Sequence, residues 1–342
     1  MRALAIADPE AGDCRTKPLI GARTAPSIAW RDVEIDLDDL ALASGERLDD
    51  ARLRLRLHGE ADAPVVVASG GISAGRNVAD AAGETGWWRD LANPGGAIDV
   101  SERQVIGFDF LPGDEREAKT ITPADQARAL ALGFDALGVE AIHAFVGASY
   151  GGFVGLAFAA LFPERLEKLC VISAALRPHP MSTALRGVQR RIILFARAAG
   201  REKEGVALAR ELAMTTYRSA DELRARFSSD PLGSRAGDPY DVCAYLMARG
   251  RSYAEVMPAA RYLTLSDSLD RADVDPNAVT AECLFIGARS DRLVPIADVE
   301  AAARAVAGRS QFLAIDSLVG HDAFLCDTPL FAGALEQFLE RS

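Results

Sequence analysis

Two kinds of apolar pattern divide this chain. Early on, residues 28–37 and the run Ala51-Arg52-Leu53-Arg54-Leu55-Arg56-Leu57 alternate apolar with polar positions. A period of two puts one set of side chains on a buried face and the other in solvent, as in an antiparallel hairpin at a sheet edge. On that pattern His58, at the end of the second strand, reads as a surface residue. The alternation then stops. Residues 64–68, 105–110, 141–146, 169–173, 283–286 and 311–315 are short, nearly continuous apolar runs, the mark of parallel strands covered on both faces. Helical spacing lies between several of them, most clearly over residues 124–137. Strands alternating with helices predict a doubly wound α/β fold, a mostly parallel twisted sheet flanked by helices.

One region breaks this rhythm. Residues 177–273 contain no strand-like run, while 185–199, 205–217 and 220–227 have helical periodicity. The expected organisation is an irregular segment over 1–27, an α/β core over 28–176 and 274–342, and a helical lid inserted over 177–273. Arg186, Arg190, Arg191, Arg197 and Arg201 form a basic stripe in the insertion. Such a stripe reads as a solvated helix face, with coenzyme phosphates as the alternative partner.

Composition narrows the partners. The 342 residues are 49% apolar and 25% charged, the profile of a globular protein with a sizeable core. A net charge of −11 argues against nucleic acid, which needs a basic face. Cys14, Cys170, Cys243, Cys283 and Cys326 are scattered without paired spacing. Neither a disulfide framework nor a zinc site is expected, and the default compartment is a reducing cytoplasm. The apolar run at Met1 to Ile6 is too short for a signal peptide. Residues 141–163 hold no Asp, Glu, Lys or Arg and are long enough to span a bilayer. Gly147, Ser149, Gly151 and Gly152 interrupt that stretch, and strand, turn and helix explain it fully, so no membrane association is expected.

The turn in question is Gly147-Ala148-Ser149-Tyr150-Gly151. A G-x-S-x-G motif between a buried strand and a buried helix is a nucleophile elbow. The sharp turn strains the serine backbone, so its neighbours must be small. Ser149 is the expected nucleophile, and the Tyr150 amide an expected oxyanion donor.

A serine nucleophile needs a base, and the base an orienting carboxylate. With an elbow the chain order is Ser, acid, His. Of four histidines only His179 and His321 follow Ser149, and His179 comes too early to follow an acid-bearing strand. His321, just after the last strand-like run, is the expected base. Asp291 lies past the carboxyl end of the 283–286 strand, where α/β sheets build their sites. It is the expected acid, with pairing to Arg289 or Arg292 as the plain alternative. The glycine-rich loop Ser69-Gly70-Gly71-Ile72-Ser73-Ala74-Gly75 follows the first parallel strand and lacks a dinucleotide fingerprint. Its Ile72 amide is the expected second oxyanion donor.

Serine acyl chemistry alone leaves hydrolysis and transfer open. Several further motifs occur in order: Gly86-Trp87-Trp88, Pro94-Gly95-Gly96-Ala97-Ile98-Asp99, Ile121-Thr122-Pro123-Ala124-Asp125, Ala209-Arg210-Glu211-Leu212-Ala213, Thr216-Tyr217-Arg218-Ser219, Tyr262-Leu263-Thr264-Leu265, Ser268-Leu269-Asp270, Ser290-Asp291-Arg292 and Gly320-His321-Asp322-Ala323-Phe324-Leu325. Over residues 50–340 the chain resembles the homoserine O-acetyltransferase family, whose members have the α/β-hydrolase fold. The resemblance implies that Arg210 holds the homoserine carboxylate with Tyr217 nearby, and that Asp322 takes the substrate amino group. It also implies ping-pong acyl transfer from acetyl-coenzyme A to L-homoserine in methionine biosynthesis, and a homodimer formed through the lid. No permanently bound cofactor or metal is expected. Two departures from the family pattern stand out: only residues 111–120 remain of a usually long glycine-rich loop, and Tyr150 replaces a more usual methionine. Both read as lying near the site entrance, where they bear on donor and acceptor choice. Succinyl-coenzyme A as donor, or serine as acceptor, would keep every catalytic role. The other readings are a serine esterase and, from another class, a non-catalytic binding protein on a hydrolase fold.

Overall fold

The computed structural model describes residues 28–81, 83–112 and 117–341. The irregular 1–27 segment with Cys14, and residues 113–116 of the shortened loop, lie outside the described residues. The chain opens with β1 (Trp30–Asp36), the short pair β2 (Leu40–Ala41) and β3 (Arg47–Leu48), then β4 (Arg52–His58) and β5 (Val65–Ser69). A second short pair, β6 (Ala92–Asn93) and β7 (Ile98–Asp99), precedes β8 (Gln104–Phe108), α1 (Pro123–Leu137) and β9 (Ile142–Ala148). Next come α2 (Tyr150–Leu161) and β10 (Leu166–Ile172), followed by five helices without an intervening strand. These are α3 (Pro180–Ala198), α4 (Glu202–Tyr217), α5 (Ala220–Arg226), α6 (Asp241–Ala254) and α7 (Ala259–Asp270). The chain then returns through β11 (Glu282–Ala288), α8 (Ile296–Ala305), β12 (Ser310–Ile315), α9 (Ala323–Cys326) and α10 (Ala332–Glu340).

One eight-stranded sheet runs in the order β1-β4-β8-β5-β9-β10-β11-β12. The β1–β4 and β4–β8 pairs are antiparallel, and all the others are parallel. Each long apolar run of the sequence is a strand of this sheet. The short pairs were not foreseen, because two-residue strands leave no periodicity. The central strands are buried on both faces, so β8 is buried at every position. Apolar clusters cover the two sides of the sheet, and the α3–α7 helices carry a small core of their own around Ile193, Val206, Tyr253 and Tyr262. Helix α1 begins at a capping box, Thr122 with Asp125, with Pro123 in its first turn, and ends at Gly138 with φ 73°; each device suits its position. No helix among the described residues is long and apolar enough to cross a membrane.

Two expectations from the alternating pattern fail here. β1 and β4 form the expected antiparallel hairpin at the sheet edge, with β1 outermost, but the polar face of β4 is not solvated along its whole length. Arg52 and Arg54 stay partly exposed, whereas Arg56, 3% exposed, chelates Asp32 at 2.6 and 2.9 Å and also reaches Glu84 and Asn77. His58 is fully buried, not a surface residue, and neither of its ring nitrogens has a hydrogen-bond partner. Burial pushes its imidazole down to about 4, since a charged ring has no solvation there. The basic stripe is also not a free cationic face. Arg186 and Arg190 bind the buried Asp270 at 2.5 and 2.7 Å, while Arg197 pairs with Glu202 and Arg201 with Glu204.

Candidate active site

Strand β9 turns into α2 at Ser149, whose backbone sits at φ 53° and ψ −118°. A non-glycine residue at positive φ costs about 1–3 kcal/mol and is held only by its surroundings. Here the Ser149 amide donates to the Ile172 carbonyl at 2.8 Å, and the Gly151 amide to Gly70 at 2.8 Å. The flanking glycines are sterically required. A Cβ on Gly147 would lie 2.3 Å from the Gly151 carbonyl oxygen, and one on Gly151 would lie 2.5 Å from that of Ser69. Helix α2 runs almost wholly buried until Pro163, which stops it.

The loop after β12 brings His321 to the serine, and the loop after β11 brings Asp291 to the histidine. His321 Nε2 lies 2.9 Å from Ser149 Oγ, and Nδ1 lies 2.7 Å from Asp291 Oδ2. A carboxylate only accepts, so Nδ1 carries the proton and leaves Nε2 free to accept from the serine hydroxyl. The other oxygen of Asp291 accepts from the amides of Leu293 and Val294 at 2.8 and 3.0 Å. The Asp291 side chain is 1% exposed, and Arg289 pairs instead with Asp316. Burial opposes charging of His321, but the Asp291 charge and hydrogen bond, with help from Asp322, outweigh it and raise the imidazole above its ordinary value.

The 70–75 loop crosses in front of the nucleophile. A Cβ on Gly71 would lie 4.0 Å from Ser149 Oγ, and Ile72, Ser73 and Ser149 line one cavity of about 440 Å³. Among the described residues, neither the Ile72 nor the Tyr150 amide donates to a loop or turn carbonyl. The Tyr150 side chain, however, does not stand at the entrance. It is wholly buried beneath the elbow, bonded to Ser268 at 2.6 Å and edge-on to Phe110. Its side chain thus turns into the core rather than toward the cavity mouth.

The α3–α7 insertion forms the opposite wall. Arg210 and Tyr217, seven residues and nearly two helical turns apart on α4, share a face. The Arg210 guanidinium lies over the rings of Tyr217 and Tyr253 at 5.0 and 4.4 Å. No carboxylate of the described residues ion-pairs with it. Tyr217 stacks on His321 with 6.0 Å between ring centroids, and burial pushes its phenol up, so it stays neutral. Asp322 lines the same cavity but is partly engaged, with Oδ2 3.3 Å from Arg218 Nε. Arg218, Ser73 and Tyr253 were not singled out beforehand for a role; the contacts Arg218–Asp322 and Ser73–Tyr253 join segments remote in sequence.

Residues 86–327 match the family model described as the alpha/beta hydrolase fold. The chain is 40% identical over 284 residues to a protein of Xanthomonas campestris pv. campestris named homoserine O-succinyltransferase, covering 82% of this chain and 76% of that one. It is 32% identical to one of Symbiobacterium thermophilum named homoserine O-acetyltransferase, covering 88% and 92%. The solved structure of homoserine O-acetyltransferase from Staphylococcus aureus superposes with a TM-score of 0.80 at 26% identity, covering 92% of this chain and 96% of that one. With relatives of this identity and coverage, an elbow at the end of a central parallel strand and a matching sheet, this chain belongs to the homoserine O-acyltransferase family of α/β hydrolases.

Proposed function

We propose that this protein transfers an acyl group from acyl-coenzyme A to the side-chain hydroxyl of L-homoserine through an acyl-serine intermediate, as a step of methionine biosynthesis. The observation that carries this reading is the pairing, in one cavity, of the Ser149–His321–Asp291 hydrogen-bonded chain with a half-buried Arg210 that ion-pairs with no carboxylate of the described residues. Serine, base and acid fit acyl chemistry. A guanidinium fork without a protein carboxylate fits an acceptor that brings its own.

In the first half-reaction His321 Nε2 takes the Ser149 proton as Oγ attacks the thioester carbonyl. The tetrahedral oxyanion is met by the amides of Tyr150 and Ile72. The C–S bond breaks, coenzyme A leaves with the proton from His321, and the acyl group stays on Oγ. In the second, Arg210 binds the homoserine carboxylate and Asp322 its ammonium group. His321 removes the homoserine hydroxyl proton as that oxygen attacks the acyl carbonyl. The ester bond to Ser149 breaks, and the proton returns to Oγ. Asp291 stays ionised throughout and stabilises the imidazolium. Transfer outruns hydrolysis when the acceptor is held in place and water is kept out, and residues 177–273 are read as the lid that does so.

The 40% relative's name favours succinyl-coenzyme A as donor and the 32% relative's name acetyl-coenzyme A, so both belong in the test. Met181, Val188 and Phe195, the last 84% exposed, give α3 an apolar face for a second copy, and we read the protein as a homodimer through this lid. No disulfide joins the four described cysteines, which fits a cytoplasmic protein. The test is coenzyme A release with each donor, with and without L-homoserine, using Ser149→Ala as control. Release that needs homoserine and is lost in the variant supports the reading. Release indifferent to any acceptor would make the protein an esterase.

A further inference from the structure

Between the two halves of this cavity stands a side chain to which the mechanism above gives no part. Tyr253, on α6, is 8% exposed and lines the cavity with Ser149. Its hydroxyl lies 3.0 Å from Ser73 Oγ, 180 residues earlier in the chain. Ser73 directly follows Ile72 in the loop that faces the nucleophile. The other end of the same residue, its ring, lies under the Arg210 guanidinium at 4.4 Å. Edge-on contact with Tyr262 braces the ring, with 6.3 Å between centroids and an interplanar angle of 82°, and the Tyr262 hydroxyl is itself fixed by Gln189 at 2.8 Å.

We propose that Tyr253 is a positioning residue that ties the oxyanion loop to the acceptor-binding arginine, its hydroxyl holding Ser73 and its ring holding Arg210. The proposal rests on the roles given above to Ile72 and Arg210. Its physical basis is the difference in what anchors the two oxyanion donors. The Tyr150 amide is fixed by the elbow and α2. The Ile72 amide belongs to a glycine-rich loop, Gly70-Gly71-Ile72-Ser73, whose backbone is intrinsically free. Oxyanion donors act only when held in position before the charge develops. The loop is pinned upstream by the Gly151 amide bonding Gly70, and within by the Ala74 amide bonding Gly71. The Ser73–Tyr253 bond adds a side-chain anchor from the opposite wall of the cavity, next to the donor. Because that anchor sits on α6, seating α6 over the site completes the restraint on the oxyanion loop. The same seating places the ring that supports Arg210.

The test separates the two ends of the residue. Tyr253→Phe keeps the ring and removes the hydroxyl; Ser73→Ala removes the partner. Acylation of Ser149 is read by the burst with p-nitrophenyl acetate, which needs neither coenzyme A nor homoserine. Acceptor binding is read by the homoserine KM in the coupled reaction. Each single variant should slow the burst about tenfold and leave the homoserine KM within about twofold, and the double variant should be no slower than either one. Tyr253→Leu, which loses the ring as well, should in addition raise that KM about tenfold. Wild-type burst rates in Tyr253→Phe and Ser73→Ala, or losses that multiply in the double variant, would overturn the proposal. If Tyr253→Phe fails to fold, Ser73→Ala alone decides. A protein that shows the burst but never releases coenzyme A sinks the transferase reading and leaves this one standing on the burst.

Discussion

Arg218, just past the end of α4, and Asp322, next to His321, face each other with Nε 3.3 Å from Oδ2. The pair is one of several links between the insertion and the histidine loop. The Ser219 amide donates to Val319 at 3.0 Å, and the Asp322 amide to Tyr217 at 3.3 Å. Gly320, at φ 96°, has room for no side chain, since a Cβ would lie 2.9 Å from the Tyr217 carbonyl oxygen. The base is thus held from above by the same segment that carries Tyr217. Arg218 also bonds Glu222 at 3.1 Å, and both side chains are under 10% exposed. Arg218→Met would leave the largely buried Asp322 without its ion-pair partner and Glu222 with Arg226 alone. Removing one partner of such a pair costs about 3–5 kcal/mol. Urea denaturation should show a loss of that order, with a raised homoserine KM in whatever folded enzyme remains. An unchanged midpoint would mean that the pair contributes nothing.

Backbone geometry gives a sharper contrast. Gly151→Ala drives a Cβ to 2.5 Å from Ser69 O, whereas Gly187, inside α3, has nothing within 4 Å of the added atom. Gly187→Ala should stabilise the protein by about 0.5–1 kcal/mol with full activity. Gly151→Ala should lose about 100-fold or more in rate, because a displacement of about 1 Å at the nucleophile has that effect. Thermal melts and steady-state rates on the two variants check this.

The pH profile reports on His321. Its imidazole must be neutral to accept the serine proton, and its value lies above the ordinary 6.5. The acid limb of kcat/KM should therefore fall above that pH. Asp291→Asn removes the charge that raises it, so the limb should move to lower pH while kcat drops about 10³–10⁴-fold. A limb that does not move would remove Asp291 from its place beside the base.

Acid stability should trace to His58 instead. Its folded value is about 4 against 6.5 for the free group, so the unfolded chain binds the extra proton first. Stability is full above pH 6.5 and is lost as pH falls toward 4, by about 3 kcal/mol at the extreme. His58→Met should flatten that fall in urea midpoints taken at pH 7 and pH 4.5. An equal fall in both proteins would place the acid lability elsewhere.

How much of this was legible in the chain follows from the range of each interaction. The elbow was legible because its constraint is local: Gly147 and Gly151 are forced by atoms within a few residues and one neighbouring strand. Continuous apolar runs marked the parallel strands because burial on both faces leaves no room for polar residues. His321 and Asp291 were reachable through chain order and their places after β12 and β11. The role proposed for Arg210 comes only through resemblance, since in the sequence it looks like any surface arginine on a helix. Alternation misled at β4: a polar face can be closed by an ion network such as Arg56–Asp32 as well as by water. Tyr150 misled for a related reason, because sequence adjacency to the nucleophile says nothing about which way a side chain turns. The Ser73–Tyr253 and Arg218–Asp322 contacts join remote segments and leave no trace in local pattern.

The most direct measurement is the mass of the Ser149 peptide after brief mixing with acetyl- or succinyl-coenzyme A, quenched before and after adding L-homoserine. The account predicts that this peptide gains one acyl group with the productive donor and loses it to homoserine, with O-acylhomoserine appearing in step. A peptide that never gains an acyl group while O-acylhomoserine still forms would contradict it, because transfer would then bypass Ser149.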